Sequence, residues 1–407
     1  MLGQVIIAKR FGSERDSRDQ PSASIHAIDK PRRILTYIHS FDPGGVERVA
    51  LRMNAAWRKM GVDARVIVGR ASCPADGIAD DVDYRIIPDS ERVRRYQQIF
   101  WALRRLPQII RQEQPDIIFC PGNTYTSVAV GMKLILGRHC PPIVAKISND
   151  LVREDMNPLV RFFYRRWLWI QGRFIERFVA MAPAMVAEIA DRIVVPDDRI
   201  AVINDPVMRT DEFDRYSNLV HIRALRGRRF IAIGRLMPQK NFALLLDAFV
   251  RIAHRDDRLT ILGEGPERAM LEQRIAELGI VDQVTLPGHV NDVLPWFAEA
   301  DVFVMSSDYE GVPAVLIEAL AARLSVVATN CSASMADLIG HGRFGTLVPI
   351  GDEAALAAAM DTAAHDKACP HAVLEHIGGF TVEAGAQAYI DLMDDVIAAQ
   401  AEARIAG

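Results

Sequence analysis

Short apolar runs separated by longer mixed segments set the pattern of the chain. Runs near residues 33–39, 64–69, 116–119, 143–147, 178–182 and 200–203 are too short for buried helices and read as strands. The segments between them are long enough for helices, and such alternation predicts an α/β fold with a parallel sheet. A polar, charged stretch from Met208 to Arg229 interrupts the pattern and reads as a linker. Strand-like runs then resume at Phe230–Ile233, Leu259–Leu262, 284–288 and Asp301–Met305, so a second sheet is expected. The closing apolar-periodic segment, Ala384 to Ala399, reads as a helix, and no short-period repeat is present.

The strand ends of the second half carry residues suited to binding. Phe230–Ile233 runs into a loop holding Arg235 and Lys240. These two cations could grip one diphosphate, the arginine as a planar fork and the lysine as a point charge. Two solvated loop cations are the plainer alternative. Gly263, Gly265 and Gly288 follow the next two strands, where backbone without a Cβ can approach a flat base closely. The loops Gly263–Pro266 and His289–Asn291, Val290 included, would then carry the choice of base. After Asp301–Met305, Gly311 and Pro313 punctuate the chain, and Pro313 suits the first position of a helix. The unpaired N–H groups of that helix tip, Gly311-Val312-Pro313-Ala314, suit a phosphate. Glu310 stands just before the tip and calls for a neutral partner such as sugar hydroxyls. Glu318 lies within the helix, where its carboxylate could accept bonds from a ribose diol. A first-turn glutamate favoured by the helix dipole beside a solvated one is the alternative. Ligands of open parallel sheets sit beyond the carboxyl ends of strands, so these loops are expected to converge on one crevice. In the first half, Gly44-Gly45 could let backbone approach donor phosphates or the acceptor. His39 is a candidate sugar contact there, or simply a histidine at a strand end.

Taken in order, Gly234-Arg235 with Gln239-Lys240-Asn241, Gly263-Glu264-Gly265-Pro266, Gly288, Glu310-Gly311 with Pro313, Glu318-Ala319, and Val327–Thr329 before Gly345 resemble the donor-binding half of a family 4 retaining glycosyltransferase. Gly44-Gly45-Val46-Glu47-Arg48 resembles the glycine-rich loop of that family's first domain, and Asn204-Asp205-Pro206-Val207 the segment before its linker. The resemblance implies an α/β, GT-B architecture: two Rossmann-like parallel-sheet domains facing each other across a cleft. It divides the chain into a disordered tail (1–30), an acceptor-binding domain (31–207), a nucleotide-sugar domain (208–384) and a helix returning to the first domain (385–407). It implies transfer of a hexose from a nucleotide sugar to a saccharide or lipid-linked acceptor in surface polysaccharide or glycolipid assembly. A UDP-hexose is the expected donor, with GDP-mannose as the second choice. The acceptor would attack on the face from which the nucleotide leaves, retaining the anomeric configuration.

Arg235, Lys240 and Glu310 take the catalytic roles under this resemblance, with the cations and the helix tip absorbing the diphosphate charge. Glu310 would orient the sugar and Glu318 fix the ribose. Those cations make a metal unnecessary, so neither metal nor other cofactor is expected, although Ser307-Asp308 is the nearest acidic candidate. Relatives carry a histidine after a later first-domain strand. The corresponding stretch here is Ala145–Asp150, which makes Asn149 and Asp150 candidate sugar contacts. Ala182-Pro183 stands where relatives often have a serine. Glycosidase chemistry fits poorly, because Glu310 and Glu318 share one short segment instead of flanking a bond. An epimerase on the same plan, or a catalytically silent sugar-nucleotide-binding partner, are the other readings.

With 407 residues, half of them hydrophobic, the chain can hold two or three domains at roughly 100–200 residues each. No apolar run approaches the ~18 residues of a membrane span. The first 30 residues lack a hydrophobic signal core, so a cytoplasmic location is expected. The five cysteines, Cys73, Cys120, Cys140, Cys331 and Cys369, have no paired spacing and read as ordinary thiols. Charge is uneven. Residues 1–200 hold 31 Lys or Arg against 23 Asp or Glu, a balance of +8; residues 201–407 hold 17 against 29, a balance of −12, for the total of −4. Two segments of the basic half mix cations with aromatics: Arg92–Arg111, with Phe100 and Trp101, and Pro158–Arg177, with Phe162, Phe163, Trp167 and Trp169. Such stripes can lie on an anionic membrane, which would place the protein peripherally at the inner face of the cytoplasmic membrane. Ordinary helices with aromatics turned to the core are the alternative. The modest total charge and the lack of a recognisable motif make nucleic acid a poor alternative, and no nucleic-acid partner is expected.

Overall fold

A computed structural model describes residues 32–41, 45–70, 81–88, 97–148, 151, 157–222, 225–363 and 370–406. Two parallel sheets organise them. The first contains β1 (Arg33–Ile38), β2 (Asp63–Val68), β3 (Tyr84–Ile86), β4 (Ile117–Cys120), β5 (Ile143–Lys146), β6 (Arg177–Ala180) and β7 (Ile200–Val202), in the order β3-β2-β1-β4-β5-β6-β7. β3 had no counterpart in the sequence pattern, because it is a three-residue edge strand without a buried residue. Central strands β4 and β5 are buried along their whole length, so they read as continuous apolar runs. α2 (Gln98–Glu113), α3 (Thr126–Leu136) and α4 (Pro158–Phe174) contribute Leu106, Val128, Met132 and Leu168 to one core cluster. α1 (Gly45–Lys59) and the C-terminal helix Val382–Ala406 contribute Met53, Trp57, Ala386 and Tyr389 to another. There Trp57 donates from Nε1 to the Ala386 carbonyl at 3.1 Å, and the Trp57, Phe119 and Tyr389 rings meet edge to face.

The second sheet contains β8 (Arg229–Ile233), β9 (Arg258–Leu262), β10 (Val284–Gly288), β11 (Val302–Met305), β12 (Ser325–Thr329) and β13 (Thr346–Val348), in the order β10-β9-β8-β11-β12-β13. Strand order reverses between β1 and β4 in one sheet and between β8 and β11 in the other. The crevice beyond the carboxyl ends at such a reversal is where doubly wound sheets hold ligands.

Two crossing segments run side by side. Val207 N donates to Phe380 O at 3.0 Å and Val382 N to Met208 O at 2.7 Å. Just upstream, buried Asp205 accepts from the more deeply buried Lys146 at the end of β5. The stretch expected to be a plain linker contains a helix, Thr210–Ser217. Its start is tied by Arg209 N donating to Glu212 Oε2, and by Thr210 donating from N and Oγ1 to Glu383 Oε2. Only Phe213 and Tyr216 turn towards the second core, too few apolar positions to show as a period in a charged stretch.

Cys120, Cys140 and Cys331 are buried free thiols, and burial pushes Cys120 and Cys331 up to about 12 and Cys140 to about 11. Cys73, Cys369 and the N-terminal tail lie outside the described residues. Among the described residues no helix is long and apolar enough to cross a membrane. The aromatic stripes divide. Phe100 (77% exposed), Phe162 (59%) and Phe163 (63%) face solvent, whereas Trp101 and Trp167 pack against the first core. Trp169 stacks with two guanidinium groups, Arg166 at 4.7 Å and Arg173 at 4.2 Å. Helical periodicity turns the tryptophans at 101 and 167 inward and leaves the three phenylalanines outward, so each of the two alternatives holds for part of the stripes.

Candidate active site

β8 and β11 are neighbours, so the loops that follow them meet although they lie about 70 residues apart, as expected for a crossover connection. They are stitched together by four bonds. Asp308 N donates to Gln239 O at 2.9 Å, Ser306 Oγ to Lys240 O at 2.9 Å, Asn241 Nδ2 to Asp308 Oδ1 at 2.8 Å, and Gln239 Nε2 to Tyr309 O at 2.8 Å. This frame places Lys240 Nζ 2.5 Å from Glu310 Oε1, which also accepts from Ser307 Oγ at 2.9 Å. The sequence suggested a neutral partner for Glu310; the structure gives it a cation. Both side chains are largely shielded from water, at 18% and 11% exposure, so each charge needs the other. The ammonium has three donors and the carboxylate several lone-pair sites, so both retain capacity for a ligand. Asp308 is engaged by Asn241, and no cluster of three or more His, Cys, Asp or Glu suited to a metal occurs among the described residues.

The helix expected at Pro313 runs Ala314–Ala321, with Pro313 one position earlier, at its N-cap. No side chain caps it. The turn before it is fixed by Ser332 and Ser334, whose hydroxyls donate to Gly311 O at 2.9 and 2.8 Å. Val312 packs against the cores of both sheets, so this tip stands where the two halves meet.

The glycines after β8 and β9 let the two loops pack closely. Gly263 has φ +142°, and a Cβ there would stand 1.8 Å from Gly234 O; one at Gly265 would stand 2.4 Å from Leu236 O. The place a Cβ would take at these positions is filled by the neighbouring loop's own backbone, while Gly263 still lines the cavity described below. At Gly234 a Cβ would come within 3.0 Å of Lys240 Cε, so this glycine makes room for the lysine stem. Gly45 has open space where a side chain would be. Gly44, Asn149 and Asp150 lie outside the described residues. His39 follows β1, half-buried, with Nδ1 3.1 Å from the Tyr37 hydroxyl.

A cavity of about 640 Å³ opens between the sheets. Arg235, Gly263, His289, Val290 and Glu318 line it; Lys240 and Glu310 do not, although Lys240 packs on Gly234, which does. Arg235 is exposed, and its guanidinium bonds to no other described residue. Residues that sequence reasoning left without a role complete the wall: Arg48 and Arg52 from α1, and Glu212, Arg215 and Tyr216 from the helix Thr210–Ser217. The spacing of Arg48 and Arg52, four apart on one helical face after the glycine pair, was the available signal. Arg52 donates to Val207 O and, at 3.1 Å, to Glu212 Oε1. Burial pushes the Glu318 carboxyl above its ordinary value; Arg52 opposes this, Glu212 adds to it and Arg48 opposes it.

The sequence matches the family described as Glycosyltransferase Family 4 over residues 43–208, and Glycosyl transferases group 1 over residues 227–366. An N-acetylgalactosamine-N,N'-diacetylbacillosaminyl-diphospho-undecaprenol 4-alpha-N-acetylgalactosaminyltransferase of Campylobacter jejuni is 35% identical over 143 residues. That match covers 35% of this chain and only 39% of the relative's own length. The lipopolysaccharide core biosynthesis glycosyltransferase LpsD of Rhizobium meliloti is 29% identical over 378 residues, covering 89% of this chain and 99% of that one. Among solved structures, Anabaena HepE in complex with UDP superposes with a TM-score of 0.70 at 16% identity, covering 89% of this chain and all of that one.

Proposed function

This chain belongs to the family 4 glycosyltransferases, and we propose that it transfers a hexose from a nucleotide sugar to a saccharide or lipid-linked acceptor. The observation that carries the proposal is the Lys240–Glu310 pair, held by two stitched loops at the strand-order reversal of the second sheet, beside an uncapped helix tip. Arg235, Lys240 and the helix tip supply fixed positive charge for a departing diphosphate. Glu310 neutralises Lys240 while the donor is absent and accepts from sugar hydroxyls when a diphosphate takes over the lysine. Glu318 accepts from the ribose. The acceptor hydroxyl adds to the anomeric carbon as its bond to the diphosphate oxygen breaks, and the leaving phosphate takes the proton. Attack from the leaving side retains configuration. These cations do the work a divalent metal does elsewhere, so turnover without metal belongs to the proposal.

A UDP-hexose is the proposed donor. Ile233, Leu262, Val290 and Val293 provide an apolar cavity wall against which a base can lie, and HepE, of the same fold, binds UDP. A polyprenyl-diphosphate saccharide is the proposed acceptor class, on the printed name of the C. jejuni relative, with lipopolysaccharide or another surface polysaccharide as the product class. Screening UDP- and GDP-hexoses by thermal shift and by product formation tests this reading. Donor at 100 times its Kd should stabilise the folded state by about 2.7 kcal/mol. Turnover should survive EDTA; strict Mg²⁺ dependence contradicts the proposal. An epimerase would interconvert the sugar without acceptor, and a silent partner would bind without turnover.

The first domain is proposed to rest on an anionic membrane at the cytoplasmic face. Phe100 lies near the start of α2, and Leu159, Phe162 and Phe163, exposed among arginines, near the start of α4. Helices of a parallel α/β layer run against its strands, so these starts lie at the carboxyl edge, beside the crevice. A lipid-linked acceptor would arrive there. Phe162→Ala combined with Phe163→Ala should reduce sedimentation with phosphatidylglycerol vesicles severalfold, and leave the melting temperature within about a degree because exposed side chains contribute little. Unchanged sedimentation would remove this surface from the proposal.

A further inference from the structure

One feature of the first sheet goes beyond that reading while resting on it. β1 and β4 flank the strand-order reversal, His39 follows β1, and Tyr125 closes the short turn Asn123–Tyr125 after β4. Their rings stack, with centroids 4.7 Å apart and an interplanar angle of 30°. Tyr37 meets His39 edge-on at 5.3 Å, its hydroxyl 3.1 Å from Nδ1. Tyr125 donates its proton to Glu47 in the first turn of α1. Both tyrosines are buried, whereas His39 is partly open. A Cβ at Gly69 would lie 2.6 Å from the Tyr37 hydroxyl, so the absence of a side chain at residue 69 leaves that hydroxyl its place.

Burial pushes both phenols well above their ordinary range, so each keeps its proton near neutral pH and has one to donate. Tyr125 donates a hydrogen bond to Glu47, and with the Tyr37 hydroxyl as donor His39 Nδ1 is the acceptor. An imidazole that accepts at Nδ1 carries its proton on Nε2. Burial lowers the His39 pKa against the opposing pull of Glu47, which keeps the ring neutral. Nε2 bonds to no other described residue. A neutral N–H suits a sugar hydroxyl, whereas a phosphate would be better served by a cation.

We propose that Tyr37, Tyr125 and Glu47 are positioning residues that hold His39 as an Nε2-protonated donor for a hydroxyl of the bound sugar at the β1/β4 crevice.

Two measurements on the full chain test it. In ¹⁵N-histidine spectra, His39 should show protonated Nε2 and unprotonated Nδ1, and Tyr37→Phe should shift that tautomer balance. A ring protonated at Nδ1 in the wild type overturns the assignment while leaving the transferase reading intact. In binding assays with UDP-glucose and UDP as probes, Tyr37→Phe and His39→Ala should weaken UDP-glucose about five- to tenfold, the scale of one hydrogen bond, and leave UDP unchanged. His39→Gln, which presents an N–H at similar reach, should recover most of the loss. Equal weakening of both probes, or no weakening of either, overturns the sugar contact. A wild-type protein that binds neither probe overturns the UDP-hexose donor, and the sugar contact proposed here with it. Melting temperatures identify any variant that fails to fold, and His39→Gln, whose side chain is partly open, then decides the outcome.

Discussion

Glu310→Gln is expected to reduce transfer by about 10³-fold while the protein remains folded, a loss on the scale seen when one preorganised electrostatic contact is removed from an active site. Glutamine keeps the size of the side chain and an acceptor for Ser307, but it leaves Lys240 without its counter-charge in a shielded position. The free lysine should hold a diphosphate at least as firmly as before, so affinity for UDP should be equal or higher. The loss should therefore fall on kcat, because the sugar hydroxyls lose a charged acceptor that fixes the ring for attack. The stability cost should be about 1.5–3 kcal/mol, the range for a hydrogen bond to a charged group. Steady-state kinetics with UDP binding and a melting curve check all three parts. A fully active Glu310→Gln enzyme removes Glu310 from the mechanism.

Gly263→Ala is the second large effect expected, and it comes from backbone alone. At φ +142° a side chain is strained in any surroundings, and here the new Cβ would stand 1.8 Å from Gly234 O. The loops after β8 and β9 cannot both keep their places, and the β8 loop carries Arg235 and Lys240. Overpacking of this kind with backbone strain should cost about 3 kcal/mol or more. For a domain of this size that lowers the melting temperature by roughly 6–12 °C. Donor binding should fall with it. A variant of wild-type stability and affinity would show that the two loops can separate at no cost.

The two positions differ in how far the sequence explains them. Glu310 and Lys240 were legible as members of one site, since a cationic loop after one strand and an acid before a helix start both suggest sugar-phosphate chemistry. Their direct contact was not legible, because it depends on β8 lying beside β11. Gly263 was legible as a special position, but the close approach of Gly234 backbone there was not, because it depends on β8 lying beside β9. Arg48, Arg52 and the helix Thr210–Ser217 were missed because cations on α1 and a short charged helix look solvated until the crossing segment folds them against the cavity. The outward Phe162 and Phe163 and the inward Trp167 share one helix, and composition could not separate them.

The sequence by itself determined the class of the fold and the family. Alternating short apolar runs and mixed segments admit parallel sheets with covering helices, and the ordered loop residues from Gly234 to Glu318 are local in the chain. Only the tertiary structure decided which loops touch. Contacts such as Lys240 with Glu310, Arg52 with Glu212, and His39 with Tyr125 depend on strand order and on how the two halves meet. Those are set by burial of whole faces, a property of the assembled layers that no local stretch of residues contains.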